Sequence, residues 1–242
     1  MKWGIRVDYL STEIRKRLIE KGASMVGFAD LKDIPENQRE GYRYGISIAV
    51  ALDPSIIAGI GNGPTKDYYD EYIRKNNLLD ELDEYAAEII KSNGFRAIPK
   101  VRKSVTTDET ILKTTLPHKT VATRAGIGWI GKCALLVTKE FGSAVRLSSV
   151  LTDAELEVGL PINESKCGAC NMCENLCPAN AVLGVNWNVN MDRDNYFNAF
   201  KCRNEAGKRS DKLGVTETIC GKCILVCPWT QRYLKLKENK SV

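Results

Sequence analysis

No stretch of the chain approaches the run of about 20 apolar residues that a membrane-spanning helix needs. The opening "MKWGIRVDYL" also lacks an apolar core followed by a small-residue cleavage site, so no secretory leader is read there. These absences argue against export and against a membrane, and the chain reads as cytoplasmic. Repeats of solenoid period and low-complexity tracts are missing too. Charge of one sign is scarce: a net +5 over 242 residues permits an anionic ligand or partner but does not announce nucleic acid. What remains is ordinary for a globular protein, 43% hydrophobic and 27% charged, with length for one large domain or two small ones.

Cysteine is the exception to this plainness. There are nine, and eight of them follow residue 166, leaving only Cys133 earlier. In a reducing compartment such a cluster reads as metal ligands rather than disulfides. The composition divides the chain at "VGLPINESK" into residues 1–160, poor in cysteine, and residues 161–242, rich in it. "CGACNMCENLCP" places Cys167, Cys170, Cys173 and Cys177 before Pro178, the C-x2-C-x2-C-x3-C-P spacing of bacterial ferredoxins. Cys202 and then "CGKCILVCP" supply Cys220, Cys223 and Cys227 before Pro228. Three thiolates in a tight loop can face three corners of a cubane, while the fourth begins a helix leading away and ligates the other cluster. That logic assigns Cys167, Cys170, Cys173 and Cys227 to one [4Fe–4S] cluster. Cys177, Cys202, Cys220 and Cys223 take the second. The competing reading is a pair of four-cysteine structural zinc sites. Cys133 is either a buried apolar cysteine or a residue beside a cofactor.

The first part alternates helix and strand. A helix is expected over residues 8–21, with Ile14, Leu18 and Ile19 on one face, Asp8 or Ser11 as cap and Gly22 as stop. "SMVGFADL" and the nearly continuous apolar "YGISIAVAL" read as strands, the latter buried on both faces. A Gly/Pro loop precedes a long helix over 67–93, closed by Gly94. "FRAIPKV", "CALLVT" and "AVRLSSVLT" read as further strands, and the tail "KLKENKSV" as polar and frayed. The expected class is an α/β (α+β) layer fold.

"RAGIGWIGK" holds Gly126, Gly128 and Gly131 around Trp129. It leads into a strand rather than a helix, so it is not a dinucleotide fingerprint. Its glycines either let backbone approach a large flat group or simply make a turn. This loop, "ATRAGIGWIGKCALLVTKEFGSAVRLSSVLTD", together with the two cysteine motifs, resembles the epoxyqueuosine reductase family, whose members are relatives of the reductive dehalogenases. The resemblance implies a nitroreductase-like α/β sandwich followed by a ferredoxin-like double [4Fe–4S] domain. It also implies base-off cobalamin near Gly126, Gly128, Trp129, Gly131, Lys132 and Cys133, and reduction of an epoxide on a modified tRNA base. Flavin is the lesser alternative. An electron donor of ferredoxin or flavodoxin type is expected, with no membrane partner.

The chain departs from that family in two ways. Its "V-D-S-A-P" aspartate, which donates a proton to the opening epoxide, aligns with Leu112 from the glycines or with Lys100 from "FRAIPK". Neither is an acid. The replacement donors are His118 (the only histidine), Tyr68, Tyr69 and Asp108, with Glu109 beside it. His118 titrates near neutrality unless perturbed, or it is a loop histidine. The sequence also stops soon after "CPW", without the family's C-terminal helical-repeat domain, so the substrate is either small or tRNA-linked. A second reading is an electron-transfer or reactivation protein serving a partner corrinoid or redox enzyme.

Overall fold

The structure, a computed structural model, describes residues 2–238. In chain order the elements are α1 (Lys2–Glu20), β1 (Met25–Asp30), β2 (Tyr44–Ala51), α2 (Pro54–Ala58), α3 (Lys66–Ser92) and β3 (Ala97–Pro99). A small hairpin follows, β4 (Thr107–Asp108) and β5 (Lys113–Thr114), then α4 (His118–Arg124), β6 (Trp129–Ile130), β7 (Leu136–Val137) and β8 (Val145–Thr152). The cysteine-rich region holds α5 (Met172–Asn175), α6 (Ala199–Leu213), α7 (Lys222–Leu225) and α8 (Pro228–Glu238). Among the described residues no helix is long and apolar enough to cross a membrane.

Two compact units emerge, and neither is a continuous stretch. One comprises the chain up to Val50 with Lys75–Ile127 and Arg146–Ile162. The other comprises Ala51–Arg74, Gly128–Val145 and the described residues from Asn163 on.

The first unit is built on a sheet of order β1-β2-β8-β3. Strands β1 and β2 are antiparallel, with Met25 opposite Ala49, and β3 runs antiparallel to β8, with Ala97 opposite Thr152. Side chains alternate across a strand, and here they alternate in size. Val26, Phe28, Ile46, Ile48 and Val50 pack with Leu10, Ile14 and Leu18 of α1 and Leu82, Ala86, Ile89 and Ile90 of α3. The opposite face of β1 and β2 carries Gly27, Ala29, Gly45, Ser47 and Ala49, which lets the α4 segment lie close. A Cβ on Gly27 would stand 2.4 Å from Ile127 Cγ2, and one on Gly45 2.9 Å from Val121 Cγ1. This is a mixed α/β layering, and the unbroken burial of β2 follows from cover on both faces.

Several expectations are corrected here. Helix α1 starts well before residue 8, so Ser11 is no cap. It is buried, and its Oγ accepts from Glu157 N at 2.8 Å. Ile19 is 44% exposed, and Leu10, one turn before Ile14, takes its place in the core. A short helix not expected from the sequence, α2, precedes the Gly/Pro loop; it is started by Asp53, whose carboxylate accepts from Ser55 N, with Pro54 in the first turn. "CALLVT" shrinks to the two residues of β7. Helix α8 continues through Glu238, and residues 239–242, where the tail was expected to fray, lie outside the described residues.

The second unit has two cores. Leu52, Ile57, Ile60 and Tyr68 join Ile219, Ile224, Tyr233 and Leu234 in one. Leu52 N donates to Ala144 O at 2.9 Å, and the Tyr233 hydroxyl donates to Leu52 O at 3.0 Å. The other gathers Ile130, Cys133 and Ala134 with Cys177, Ala181, Val182, Trp187, Tyr196 and Phe197.

Candidate metal centre

Both cysteine motifs fold alike at their start. Each reads C-G-x-C, and each glycine sits in the left-handed region, Gly168 at φ 55° and Gly221 at φ 78°. In the first motif the turn lets Cys167 and Cys170 border the same cavity. A single helical turn follows, α5 carrying Cys173 and α7 carrying Cys223. The ends then differ. Cys227 leads into α8 with Pro228 at its first position, as expected. Cys177 does not begin a helix: Asn180, at φ 48°, turns the chain so that its N–H donates to Cys177 O at 3.1 Å. The next donor, Ala181 N, points at the Cys177 sulfur from 3.3 Å.

Cys167, Cys170, Cys173 and Cys227 line one cavity of ≈ 70 Å³, which Cys223 and Cys133 also reach. Among the described residues no three His, Cys, Asp or Glu side chains stand close enough to hold a single metal ion. The thiols border a volume, as ligands of a polynuclear group do. Burial raises the Cys227 thiol, while N–H groups of Thr230 and Trp229 and the Ser143 hydroxyl work against that rise. Those donors favour the thiolate a cluster needs. Cys202, on α6, packs against the core that holds Cys177, and the charges of Cys177 and Cys220 act on it. Burial first, then those two neighbours, push its thiol up to about 11.

Cys133 is neither isolated nor merely apolar. It is 6% exposed and hydrogen-bonded to Cys173 and Cys223, one member of each expected set. The Cys173 contact favours its ionised form, but the Cys223 contact and burial outweigh it and hold the Cys133 thiol well above the usual range. Ser143, Thr230 and Gly142 were not foreseen. Ser143 N donates to Thr230 Oγ1 at 3.0 Å, and a Cβ on Gly142 would lie 2.2 Å from Thr230 N. The "FGS" at 141–143 gives no hint of this, because its partner lies 87 residues on.

The glycines of the loop stand against the chain's own atoms. A Cβ on Gly126 would meet Leu160 O at 2.5 Å, and one on Gly128 would meet Val137 O at 2.5 Å. A Cβ on Gly131 would meet Val137 Cγ2 at 2.9 Å. The chain's own atoms fill the space the glycines leave, so the loop offers no cradle to a large flat group. Trp129 is 1% exposed and stands edge-on to Trp229, with ring centroids 5.1 Å apart. Its Nε1 is buried without a partner. Gly131, Lys132 and Cys133 line the thiol cavity. The residues present fit a cluster and, in this loop, do not fit a corrin.

The four expected proton donors fall in different units, His118 and Asp108 in the first, Tyr68 and Tyr69 in the second. His118 is half-buried, with Nδ1 2.9 Å from Ser149 Oγ. Burial, aided by the charges of Arg146 and Lys100, lowers its pKa to about 4. The ring is thus neutral at neutral pH. Asp108 is exposed in β4. Its Oδ1 accepts from Thr110 Oγ1 at 2.6 Å and Thr110 N at 2.9 Å, which holds its carboxyl below the usual range. Tyr68 is 3% exposed in the Ile60 core. Tyr69 is half-buried, and its hydroxyl lies 3.2 Å from Thr216 Oγ1.

Comparison with known proteins agrees with this centre. Residues 166–230 match the family described as a 4Fe-4S double cluster binding domain. That segment is therefore of the double 4Fe-4S cluster type. Curated relatives are more specific. An epoxyqueuosine reductase from Atelocyanobacterium thalassa (isolate ALOHA) is 34% identical over 122 residues, 50% of this chain and 39% of the relative. One from Bacillus subtilis (strain 168) is 30% identical over 218 residues, 88% of this chain and 49% of the relative. The fold is shared with the catabolic reductive dehalogenase NpRdhA, at TM-score 0.67 and 17% identity over 93% of this chain and 33% of that one. It is also shared with a selenomethionine-labelled epoxyqueuosine reductase, at TM-score 0.59 and 22% identity over 92% of this chain and 66% of that one. The chain is similar to epoxyqueuosine reductases over part of their sequence, and it spans about half or less of the length of the curated relatives named here.

Proposed function

We propose that this chain is an oxidoreductase that relays single electrons through two [4Fe–4S] clusters. Cys167, Cys170, Cys173 and Cys227 hold one cluster; Cys177, Cys202, Cys220 and Cys223 hold the other. The observation that carries this reading is the crossing of the motifs. Cys227 of the second motif lines the cavity that Cys167, Cys170 and Cys173 of the first motif also line. Exchange of a fourth ligand is the mark of a paired-cluster relay. The clusters supply one-electron steps when bound. The protein's part is to present thiolates, aim N–H groups at Cys177 and Cys227, and keep water from the first cavity with Trp229 and Val137.

The first unit is read as a nitroreductase-like sandwich. The acceptor is read as cobalamin, because a reductive dehalogenase sharing this fold is described as performing B12-dependent dehalogenation. The substrate class is read as epoxyqueuosine-like, because a solved epoxyqueuosine reductase of this fold holds an epoxyqueuosine-modified tRNA stem loop. No residue of the Gly126–Cys133 loop is assigned to the corrin.

A specific observation favours the second reading, an electron-transfer protein without its own substrate. His118, Asp108 and Tyr68 are neutralised, engaged or buried, and Tyr69 is held beside Thr216. One experiment separates the readings. The chain is purified without oxygen, its iron and sulfide are counted, and it is titrated with cobalamin while the paramagnetic resonance of cob(II)alamin is recorded. Eight irons with a base-off signal supports the reductase, and eight irons without it supports the electron carrier. Absence of iron overturns both.

A further inference from the structure

We infer that the outer face of α6 is the docking surface for an acidic electron-carrier protein, and that electrons enter at Cys202. This rests on the proposed assignment of Cys202 to the second cluster. Helix α6 is two-sided. Cys202, Ala206 and Ser210 recur at fourfold spacing, and of these Ala206 and Ser210 are buried. Ser210 Oγ donates to Glu217 O at 2.7 Å and accepts from Ile219 N at 3.1 Å, which pins the helix to the segment leading into Cys220.

The other side is exposed and basic. Lys201, Lys208 and Lys212 fall at i, i+7 and i+11, which places them on one stripe. All three are exposed, as is Arg203. Of the two acids on the helix, Glu205 is taken by Arg209 at 2.7 Å, and Asp211 is the exposed one. Arg209 is also tied to Asn62 O. The helix is shallowly hollowed on both flanks, by about 530 Å³ beside Gly63 and Pro64 and about 400 Å³ beside Phe200 and Gly207. Phe200 is 53% exposed.

Charge selects an acidic partner. The position selects a redox partner over a nucleic acid: Cys202 lies between Lys201 and Arg203, one residue from each. A protein seated on the stripe is thus separated by no more than the width of α6 from the cluster that Cys202 holds. A phosphate backbone would use the lysines but leave Phe200 and the hollow at Gly207 without purpose. In the step itself one electron leaves the reduced carrier, which is oxidised, and the cluster is reduced by one. No covalent bond changes and no proton is transferred.

The test uses the iron-loaded full chain carrying Lys201→Glu, Lys208→Glu and Lys212→Glu. The probe is a reduced acidic two-cluster ferredoxin, mixed rapidly while cluster bleaching is followed across ionic strengths, with dithionite as a small-molecule reductant in parallel. The control reverses three exposed lysines of the first unit, Lys16, Lys32 and Lys91. The expected result is at least about a tenfold loss of ferredoxin-driven rate at low salt and a flattened salt dependence. Iron content and the dithionite rate stay unchanged, and the control stays within about twofold. An unchanged ferredoxin rate overturns the inference, as does an equal loss in the control. So does a variant that loses affinity for a tRNA stem loop while keeping its ferredoxin rate. A parent chain that binds no iron overturns the cluster assignment and this inference with it, whereas eight irons with a wrong rate overturn this inference alone.

Discussion

Gly168 and Gly221 occupy the same place in two motifs and differ in what surrounds them, so a matched pair of substitutions measures the surroundings alone. Alanine in the left-handed region costs about 1–2 kcal/mol at either site. At Gly168 that is the whole cost, because no heavy atom lies within 4 Å of the new Cβ. At Gly221 the Cβ would stand 2.7 Å from Ile60 Cδ1 and 3.0 Å from Tyr68 Cε1. Ile60 is 2% exposed and Tyr68 3%, so neither can swing into solvent. Overpacking of this kind adds about 1–3 kcal/mol. At about 2–4 °C per kcal/mol for a chain of this size, Gly221→Ala should melt about 2–12 °C below Gly168→Ala. The assay follows far-ultraviolet ellipticity and cluster absorbance at one scan rate, because unfolding that sheds iron reports a rate. Equal melting points, or a worse Gly168→Ala, would refute the packing of the second motif against Ile60 and Tyr68.

Three further outcomes are expected. Cys227→Ser and Cys177→Ser should each leave about four irons on opposite clusters, seen as two distinct residual resonance signals; identical spectra would undo the crossed assignment. His118 has a folded pKa of about 4 against 6.5 when unfolded, so the folded chain binds fewer protons between those values. Its contribution is present above pH 6.5 and is lost as pH falls toward 4, by up to about 3 kcal/mol; His118→Gln should flatten that limb of an acid-denaturation curve. Asp83 shows the reverse sign. It is fully buried, its Oδ1 accepts from Ser148 Oγ at 2.7 Å, Oδ2 has no partner, and burial raises its pKa well above 3.8. The folded state therefore holds the proton more tightly, and stability falls as pH rises through the raised value. Asp83→Asn should be stabilising at pH 8 and near neutral in effect at pH 4; equal destabilisation at both would contradict this.

Much of the fold is legible because burial leaves a period. The 3.6-residue spacing of Leu82, Ala86, Ile89 and Ile90 marks α3 to within a residue at each end, and the apolar run marks β2. The size alternation in "MVGFAD" and "YGISIAVA" carries that information in a second form, small residues where a helix must lie close and large ones where the core must be filled. Ile19 misleads because apolar character says nothing of which side of α1 the sheet occupies, and Leu10 decides it. In the centre, thiol spacing leads to the cavity, since ligand geometry constrains sequence locally. What Gly126, Gly128 and Gly131 pack against is not legible. Leu160 O and Val137 O are backbone atoms contributed from elsewhere in the chain, and a backbone atom leaves no trace in residue type. The same holds for Cys133, whose neighbours Cys173 and Cys223 are fixed by tertiary folding alone.

The interleaving of the second unit imposes an order on biosynthesis. Leu52, Ile57, Ile60 and Tyr68 leave the ribosome first, yet their packing partners Ile219, Ile224, Tyr233 and Leu234 are made last. At about 5–20 residues per second, those apolar side chains wait roughly 10–30 s for a counterpart. Through that interval the nascent chain carries sticky surface that only a chaperone or a slow-aggregating environment can tolerate. A gene fragment starting at residue 161 would meet the opposite problem, since it encodes the late half of a core whose early half was never translated. Grafting the cysteine region onto another scaffold should therefore succeed only if residues 51–74 and 128–145 travel with it.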